Sequence, residues 1–306
     1  MSSIEAPAGG RGVARAPGPV EYALLAGLAL AWGTSFMFTK IAVEAVPPIT
    51  LIAVRAVIAA CALALVSVMR GGLRRVSRRD LWRFALVGLT STAAPLTLIA
   101  DSVAHVDSSV TAITLALAPV ITALLGMFRG ARPTPGNIVG IIVGILGIAV
   151  LFGPDAFTAA GDGTRGLLSA FGAALVFSGS LFAMALLRHY DAVTITTVSM
   201  VFAALWTVPL AFVVDGVPPA WPGHGVMLVI VVLALWNTAA ASLLMFALVA
   251  RAGPTLTSYN NYLVPAVAVL CGTLFLGEPL TLQAIIGVAL VLGGVAISTL
   301  RTPKRV

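Results

Sequence analysis

Two apolar runs separated by a short break dominate the C-terminal part of the chain, between Gly253 and Ser298. The break has the sequence Leu276-Gly-Glu-Pro-Leu-Thr281. Each run is about 20 residues long, which is the length that an α-helix rising about 1.5 Å per residue needs to cross a hydrocarbon core. The sequence therefore predicts a helical hairpin that spans a membrane.

This hairpin has a counterpart in the first half of the chain. Pro265 lies at the centre of its first run, and Pro119 lies at the centre of an equally apolar run that is also followed by a break. The same separation pairs Gly33 with Gly179, Thr92-Ala-Ala94 with Thr238-Ala-Ala240, Gly126 with Gly272, Pro133 with Pro279 and Gly147 with Gly293. The pattern predicts a tandem repeat, with halves at residues 21–153 and 166–300 between a flexible tail at 1–20 and a short tail at 301–306.

The composition excludes a soluble domain. The 306 residues are 59% hydrophobic and only 9% charged, whereas soluble domains are typically about 25% charged. The net charge of +7 does not indicate a nucleic-acid partner, because the basic residues form short clusters between apolar runs, as in cytoplasmic loops. Ten spans are expected, near residues 21–40, 48–69, 82–104, 107–128, 136–153, 166–187, 193–214, 226–250, 254–275 and 281–300.

The distribution of basic residues predicts the orientation. With both termini in the cytoplasm, all but three of the 18 lysine and arginine residues fall on the cytoplasmic side; the exceptions are Lys40, Arg55 and Arg165. Since each repeat has an odd number of spans, the second must be inverted relative to the first, as in many secondary transporters. The predicted fold is an all-α polytopic membrane protein with ten transmembrane helices in two inverted five-helix repeats, in the inner or plasma membrane.

Several short motifs resemble those of a known family. The segment Ala31-Trp-Gly-Thr-Ser-Phe36, followed by Val46-Pro-Pro48 and Ala53-Val-Arg55, resembles the opening of EamA-type permeases of the drug/metabolite transporter superfamily. The Pro265 helix and the break after it resemble the end of the second repeat in that family. The resemblance implies a basket of ten helices around a central cavity, and usually export of amino acids or other small metabolites. One difference is that Gly277-Glu278 has Ala131-Arg132 as its counterpart in the first repeat.

Few charged residues lie inside the spans. Arg55 is about seven residues into the second span, and Asp101 is at a similar depth in the third. A charge at the bilayer centre costs about 2.5 to 3.5 kcal/mol even on lenient scales, so we predict that the two form a buried ion pair. The pair either locks two helices together, or it binds a substrate carboxylate or takes part in gating. Proton coupling would have to run through Asp101 or Glu44, or not occur.

Six polar or aromatic side chains are expected to line the cavity beside Pro119 and Pro265, where proline leaves a backbone carbonyl free and loosens the helix. They are Trp32, Thr97, Thr111, Asn237, Tyr259 and Asn261. Thr97 shares a helix face with Thr90, Ala94 and Asp101, a face that we expect to look into the bundle. Helix packing by these hydroxyl and amide groups is the alternative.

No pattern indicates an enzyme, a cofactor or a metal site. The pairs His105 with Asp107 and His189 with Asp191 supply too few ligands for a metal, and no nucleophile or phosphate-binding motif is present. We predict a secondary transporter that exports amino acids or related compounds by alternating access, with a small-molecule substrate and the lipid bilayer as its partners. Efflux of lipophilic drugs or cations, and a non-transporting scaffold or sensor, are the alternatives.

Overall fold

The structure is a computed structural model that describes residues 17–73, 75–128, 130, 135–152, 162–216 and 222–300. Most of the predicted N-terminal tail and all of the C-terminal tail lie outside these residues. Within them, all regular structure is helical. The α-helices are α1 Pro19–Val43, α2 Pro48–Met69, α3 Leu81–Gly88, α4 Ala94–His105, α5 Ser108–Leu115, α6 Ala118–Met127, α7 Pro135–Phe152, α8 Asp162–Met184, α9 Ala192–Val214, α10 His224–Ala234, α11 Ala241–Ser258, α12 Asn260–Leu276 and α13 Leu282–Leu300.

Eight segments of the described chain are long and apolar enough to cross a membrane. They are Pro19–Val43, Pro48–Met69, Arg78–His105, Ser108–Met127, Gly163–Leu187, Ala192–Val214, His224–Gly253 and Leu256–Leu276. The prediction of an all-helical polytopic membrane protein is therefore confirmed. The two other predicted spans correspond to α7 and α13, whose apolar stretches, Ile138–Gly147 and Ile285–Ile297, are shorter. The ten-span layout stays a prediction.

Two segments depart from the α-helical pitch in the middle of a span. The chain forms a π-helix at Leu89–Ala93, between α3 and α4, and again at Leu235–Ala240, between α10 and α11. The sequence separation that pairs Pro119 with Pro265 also pairs Leu89 with Leu235. In the second segment, Thr238 Oγ1 donates to the carbonyl oxygen of Leu233, five residues earlier, at 2.9 Å. Such π-bulges occur frequently at functional sites.

Proline and glycine explain where several helices begin and end. Proline is the first residue of α1, α2 and α7, where the missing N–H costs nothing because the first turn has no acceptor for it. Between the two helices of the second-half hairpin, Gly277 takes a left-handed conformation with φ 68° and ends α12. The break that the sequence indicated between the last two helices is therefore a glycine C-cap.

The helices of the two halves pack against one another. Helix α7 makes its most extensive contacts with α13, and α2 makes its most extensive contacts with α9. Helix α1 approaches α12 so closely that a Cβ at Gly33 would lie 2.5 Å from Val267 Cβ. Without a hydrophobic driving force in lipid, such close approach through small residues is what holds transmembrane helices together. The core therefore lies between the halves.

Candidate functional site

A cavity of about 210 Å³ lies in the middle of the bundle. Its lining comes from α1, α2, α4, α5, α6, α8, α9, α11, α12 and both π-helical segments, so that both predicted repeats contribute. The lining residues are Trp32, Ser35, Phe36, Arg55, Ser91, Thr92, Pro95, Leu96, Ile99, Ala112, Leu115, Ala116, Ala118, Phe177, Met200, Asn237, Thr238, Ser242, Asn260, Asn261, Val264 and Pro265.

Three of the six side chains that we expected to line the cavity do so. Trp32, Asn237 and Asn261 line it, together with the helix-kinking Pro265. Pro119 itself does not, although its neighbour Ala118 does. Pro119 lies in the first turn of α6, directly after the chain breaks its helix at Ala116 and Leu117.

The other three side chains do not line this cavity, and their role in substrate binding stays a prediction. Thr111 is fully buried, and its hydroxyl is 2.7 Å from Ser102 Oγ in a contact between α4 and α5. Tyr259 lies at the junction of α11 and α12 with 46% of its surface exposed. Thr97 is half-buried on a face of α4 other than the one that carries Pro95 and Ile99 into the lining.

The predicted ion pair between Arg55 and Asp101 does not form. Asp101 points to α8 instead, where it accepts hydrogen bonds from Arg165 at 2.6 Å and Ser169 at 2.5 Å. The pair was wrong because depth in the membrane fixes the height of a side chain but not its direction around the helix. Arg165, which the sequence placed outside the spans at the start of the sixth, is near enough to reach down to the carboxylate.

Arg55 is a buried cation in the cavity wall. Only 3% of its surface is exposed. Its Nε donates to Thr238 Oγ1 at 2.7 Å and its Nη2 donates to Ser35 Oγ at 3.2 Å. Within the part of the chain that the structure describes, Arg55 is the one ionised residue of the lining, so the lining carries a single positive charge.

The π-helical segment at Leu235–Ala240 supplies polar side chains next to Arg55. Asn237 Nδ2 donates to Thr34 Oγ1 at 2.9 Å and also to the carbonyl oxygen of Ala31. Because that carbonyl can only accept, the contact fixes which way the amide is turned. Asn237 Oδ1 is then left buried without a hydrogen-bond donor in the described chain, and so is Asn260 Oδ1.

The sequence did not single out five polar lining residues: Ser35, Ser91, Thr92, Thr238 and Ser242. A signal for some of them existed in the repeat, because the separation that pairs Pro119 with Pro265 also pairs Ser91 with Asn237 and Thr92 with Thr238. Both pairs lie in the π-helical segments. The repeat could therefore have located the second polar pair once Asn237 was chosen.

Polar contacts join the two halves at the end of the bundle where α12 ends and α5 begins. Glu278 Oε1 accepts from the backbone N–H of Ser108 at 2.7 Å, and Oε2 accepts from the N–H of Ser109 at 3.1 Å and from its hydroxyl. Glu278 is 8% exposed. A carboxylate at this place satisfies the unpaired donors of the first turn of α5. The break residue Glu278 thus connects the second half to the first.

Asp107, which precedes α5, is the nearest acidic neighbour of this contact. Burial of its carboxyl group, followed by the negative charge of Glu278, raises the pKa of Asp107 above its ordinary value, while the positive charge of Lys40 acts in the opposite direction. Lys40 Nζ also donates to the carbonyl oxygen of Val106 at 3.0 Å. The carboxylates at this end are therefore held close together.

Comparison with known proteins agrees with this architecture. The EamA-like transporter family matches residues 20–153 and again residues 164–300. A probable terminal-alkyne amino-acid exporter of Streptantibioticus cattleyicolor is 30% identical, over 90% of this chain and 91% of that protein. An uncharacterized transporter of Archaeoglobus fulgidus is 26% identical, over 87% of this chain and 94% of that protein.

Two further similarities concern the membrane and the fold. The uncharacterized inner membrane transporter YedA of Escherichia coli strain K12 is 27% identical, over 92% of this chain and 91% of that protein. A solved crystal structure, 21% identical, superposes with a TM-score of 0.66 over 92% of this chain and 96% of the other, and has the same fold. With a family match over both halves and relatives aligned along nearly their whole length, the chain is a multi-pass membrane protein that belongs to the EamA-like transporter family.

Proposed function

We propose that the protein is a secondary transporter that exports small polar metabolites, with amino acids and their analogues as the first choice, by alternating access. The observation that carries this proposal is the central cavity, whose lining comes from both halves of the chain. A site between two halves can be exposed to either side of the membrane when the halves rock against each other. Both termini then lie in the cytoplasm, as the basic residues indicate.

The proposal includes ten spans in two inverted repeats. The equivalent π-helical segments at Leu89–Ala93 and Leu235–Ala240 support a repeat, as does the pairing of α7 with α13 and of α2 with α9. Helices α7 and α13 have 18 and 19 residues, which correspond to lengths of about 27 and 28 Å. That is close to the ~30 Å of a hydrocarbon core, so these two helices complete five spans per half.

The size and charge of the cavity favour an amino acid over a lipophilic drug or cation. Its volume of about 210 Å³ is below the roughly 300–1,000 Å³ of pockets that hold drug-sized ligands. A cationic drug would be repelled by Arg55, and no carboxylate among the described residues lines the cavity to attract it. The relative named as a probable terminal-alkyne amino-acid exporter supports the same substrate class.

Metabolite profiling identifies the substrate and mutation of the cavity tests the site. We expect cells that overexpress the protein to enrich one class of amino acid or analogue in the medium relative to cells with an empty vector. In proteoliposomes, Asn261→Leu should lower the flux of that compound at least several-fold, because Asn261 lines the cavity and its amide would be lost. Expression and thermal stability should stay close to wild type.

Tyr259→Leu is the matched control. Tyr259 is two positions away on the same junction but outside the lining, with 46% of its surface exposed. We expect this variant to transport at the wild-type rate. Equal flux for both variants, or equal loss in both, would show that Asn261 packs helices and does not contact substrate.

A further inference from the structure

Arg55 has no negatively charged partner in the described chain, although its guanidinium group lies deep in the bundle. Its two hydrogen bonds go to the neutral hydroxyl groups of Thr238 and Ser35, and the rest of its N–H donors have no acceptor among the described residues. Thr238 donates its own hydroxyl proton to the carbonyl of Leu233, so it offers Arg55 a lone pair and holds it in place. An uncompensated charge in a low-dielectric site is strongly unfavourable. The site therefore favours an anion beside Arg55.

Two residues that line the cavity each carry a side-chain acceptor without a donor. Asn237 is 2% exposed and Asn260 is 3% exposed, and the side-chain carbonyl oxygen of each is buried without a hydrogen bond in the described chain. The amide of Asn237 cannot turn to relieve this, because its Nδ2 is held by the carbonyl of Ala31 and by Thr34. A buried acceptor without a donor costs about 1–3 kcal/mol. Both oxygens therefore favour a ligand that brings N–H groups.

One ligand head could meet both requirements if it is anionic at one end and carries N–H donors at the other. Asn237 and Thr238 are consecutive on the π-helical segment, so the orphan acceptor is adjacent in sequence to the residue that holds Arg55. Arg55 has no equivalent in the second half, since the repeat places Val201 at the corresponding position. The polar head therefore binds on one side of the cavity, and the apolar residues Phe36, Ile99, Leu115 and Phe177 remain for the rest of the ligand.

We propose, building on the transport function above, that Arg55 binds the carboxylate of an α-amino acid while the carbonyl oxygens of Asn237 and Asn260 accept hydrogen bonds from its α-ammonium group. Arg55 is then the residue that determines specificity. A primary amine without a carboxylate leaves the charge of Arg55 uncompensated, and a carboxylic acid without an amino group leaves both acceptors unpaired. An amino acid with an uncharged, apolar side chain satisfies all three groups and contacts the apolar wall.

Equilibrium binding to the purified full-length protein tests this recognition separately from transport. The probes are tritiated L-leucine and two unlabelled competitors of the same carbon skeleton, 3-methylbutylamine, which lacks the carboxylate, and 4-methylpentanoate, which lacks the amino group. We expect each analogue to compete at least about tenfold less well than unlabelled L-leucine, since each loses hydrogen bonds between charged groups. Competition by either analogue at the strength of leucine, or no binding of leucine, would overturn the proposal.

Arg55→Met separates recognition from a structural role. It removes the charge while keeping an unbranched apolar stem, and we expect the affinity for L-leucine to fall at least about tenfold while the affinity for 3-methylbutylamine is unchanged or higher. Arg55→Lys keeps the charge but not the forked geometry of the guanidinium group. Its affinity for L-leucine should lie between those of the wild-type protein and Arg55→Met. Equal weakening of both ligands would assign Arg55 to helix packing. If Arg55→Met does not fold, the competition series on the wild-type protein still decides.

Failure of this inference differs from failure of the proposed function. Cells that overexpress the protein and export a compound without an α-amino-acid head would refute the recognition by Arg55 and leave the transporter in place. Cells that export no compound, and proteoliposomes that move none of the compounds present in those cells, would refute the transport function itself.

Discussion

At the scale of single residues, Asp107 is a carboxyl group held where its charge is unfavourable. Its burial and, after that, the negative charge of Glu278 raise its pKa. A raised pKa means that the folded protein binds a proton that the unfolded chain has already lost. The contribution of Asp107 to stability is therefore fully present below its unfolded pKa of about 3.9 and is lost as the pH rises through the folded value.

Asp107→Asn removes this charge and leaves a side chain that still suits the position before a helix. We expect the variant to have a higher Tm than wild type at neutral pH, because the neutral amide is not repelled by Glu278. The difference should shrink as the pH is lowered and vanish below about pH 4, where the wild-type carboxyl is protonated in both states. Thermal unfolding in detergent across this pH range measures it. A variant less stable than wild type at neutral pH would contradict the repulsion.

The residues also show what could be predicted from sequence. Asn237, Asn261 and Pro265 were found because an amide or proline inside an apolar run is conspicuous. The partner of Asp101 was missed because the polar stripe of Thr97 and Asp101 was taken to face the cavity. It faces α8 instead, as the bonds of Asp101 to Ser169 show, while the cavity face of α4 is the apolar one with Pro95 and Ile99. Polarity alone did not distinguish a cavity from a helix interface.

At the scale of elements, the short break after α12 has a definite role. Gly277 ends the helix, and Glu278 reaches across to the first turn of α5 in the other half. Hydrogen bonds to a charged group contribute about 1.5–3 kcal/mol each, and a carboxylate is favourable at a helix N-terminus. The counterpart of Glu278 in the first half, Arg132, lies outside the described residues, but its positive charge could not accept such bonds. An arginine at this position could not form the same cap.

Glu278→Gln tests the cap while changing the shape of the side chain little. We expect Tm to fall by several degrees, because two backbone donors and one hydroxyl lose their charged acceptor. Glu44→Gln is the control at the same end of the bundle, since Glu44 is exposed and its substitution should change stability by no more than about 0.5 kcal/mol. Equal Tm values for the two variants would mean that Glu278 contributes no more than an exposed carboxylate.

The π-helical segments could not have been foreseen from the hydrophobic pattern. A run of apolar residues has no period that distinguishes a π turn from an α turn, and the spans at 82–104 and 226–250 were therefore predicted as continuous helices. Pro95 accounts for the first interruption in part, because it supplies no N–H to the carbonyl of Ser91. No proline lies within the ten residues after the second segment. There the hydroxyl of Thr238 bonds to Leu233, and Arg55 bonds to the same hydroxyl.

At the scale of the whole molecule, two interfaces that the repeat makes equivalent are not alike. The separation that pairs Gly33 with Gly179 also pairs Val267 with Ile121, so the contact of α1 with α12 corresponds to that of α8 with α6. A Cβ at Gly33 would lie 2.5 Å from Val267, whereas a Cβ at Gly179 would meet no atom within 4 Å. The first contact is close at Gly33, whereas the second leaves space at Gly179, although Ser178 Oγ beside it donates to the carbonyl oxygen of Ala118 at 2.9 Å. In the inverted-repeat transporter that we propose, the two halves would exchange these arrangements during alternating access.

This asymmetry predicts opposite effects for alanine at the two glycines. Gly33→Ala should lower Tm, because overpacking a close helix contact typically costs about 1–3 kcal/mol. Gly179→Ala should leave Tm at or above the wild-type value, because the site is open and alanine favours the helix, yet it should reduce flux several-fold by preventing α8 from closing on α6. Gly172→Ala on the same helix is the control, since its Cβ would make an ordinary contact, 3.5 Å from Leu98, and transport should persist. Tm and proteoliposome flux of the three variants measure this, and normal flux in Gly179→Ala would show that the open interface does not close during the transport cycle.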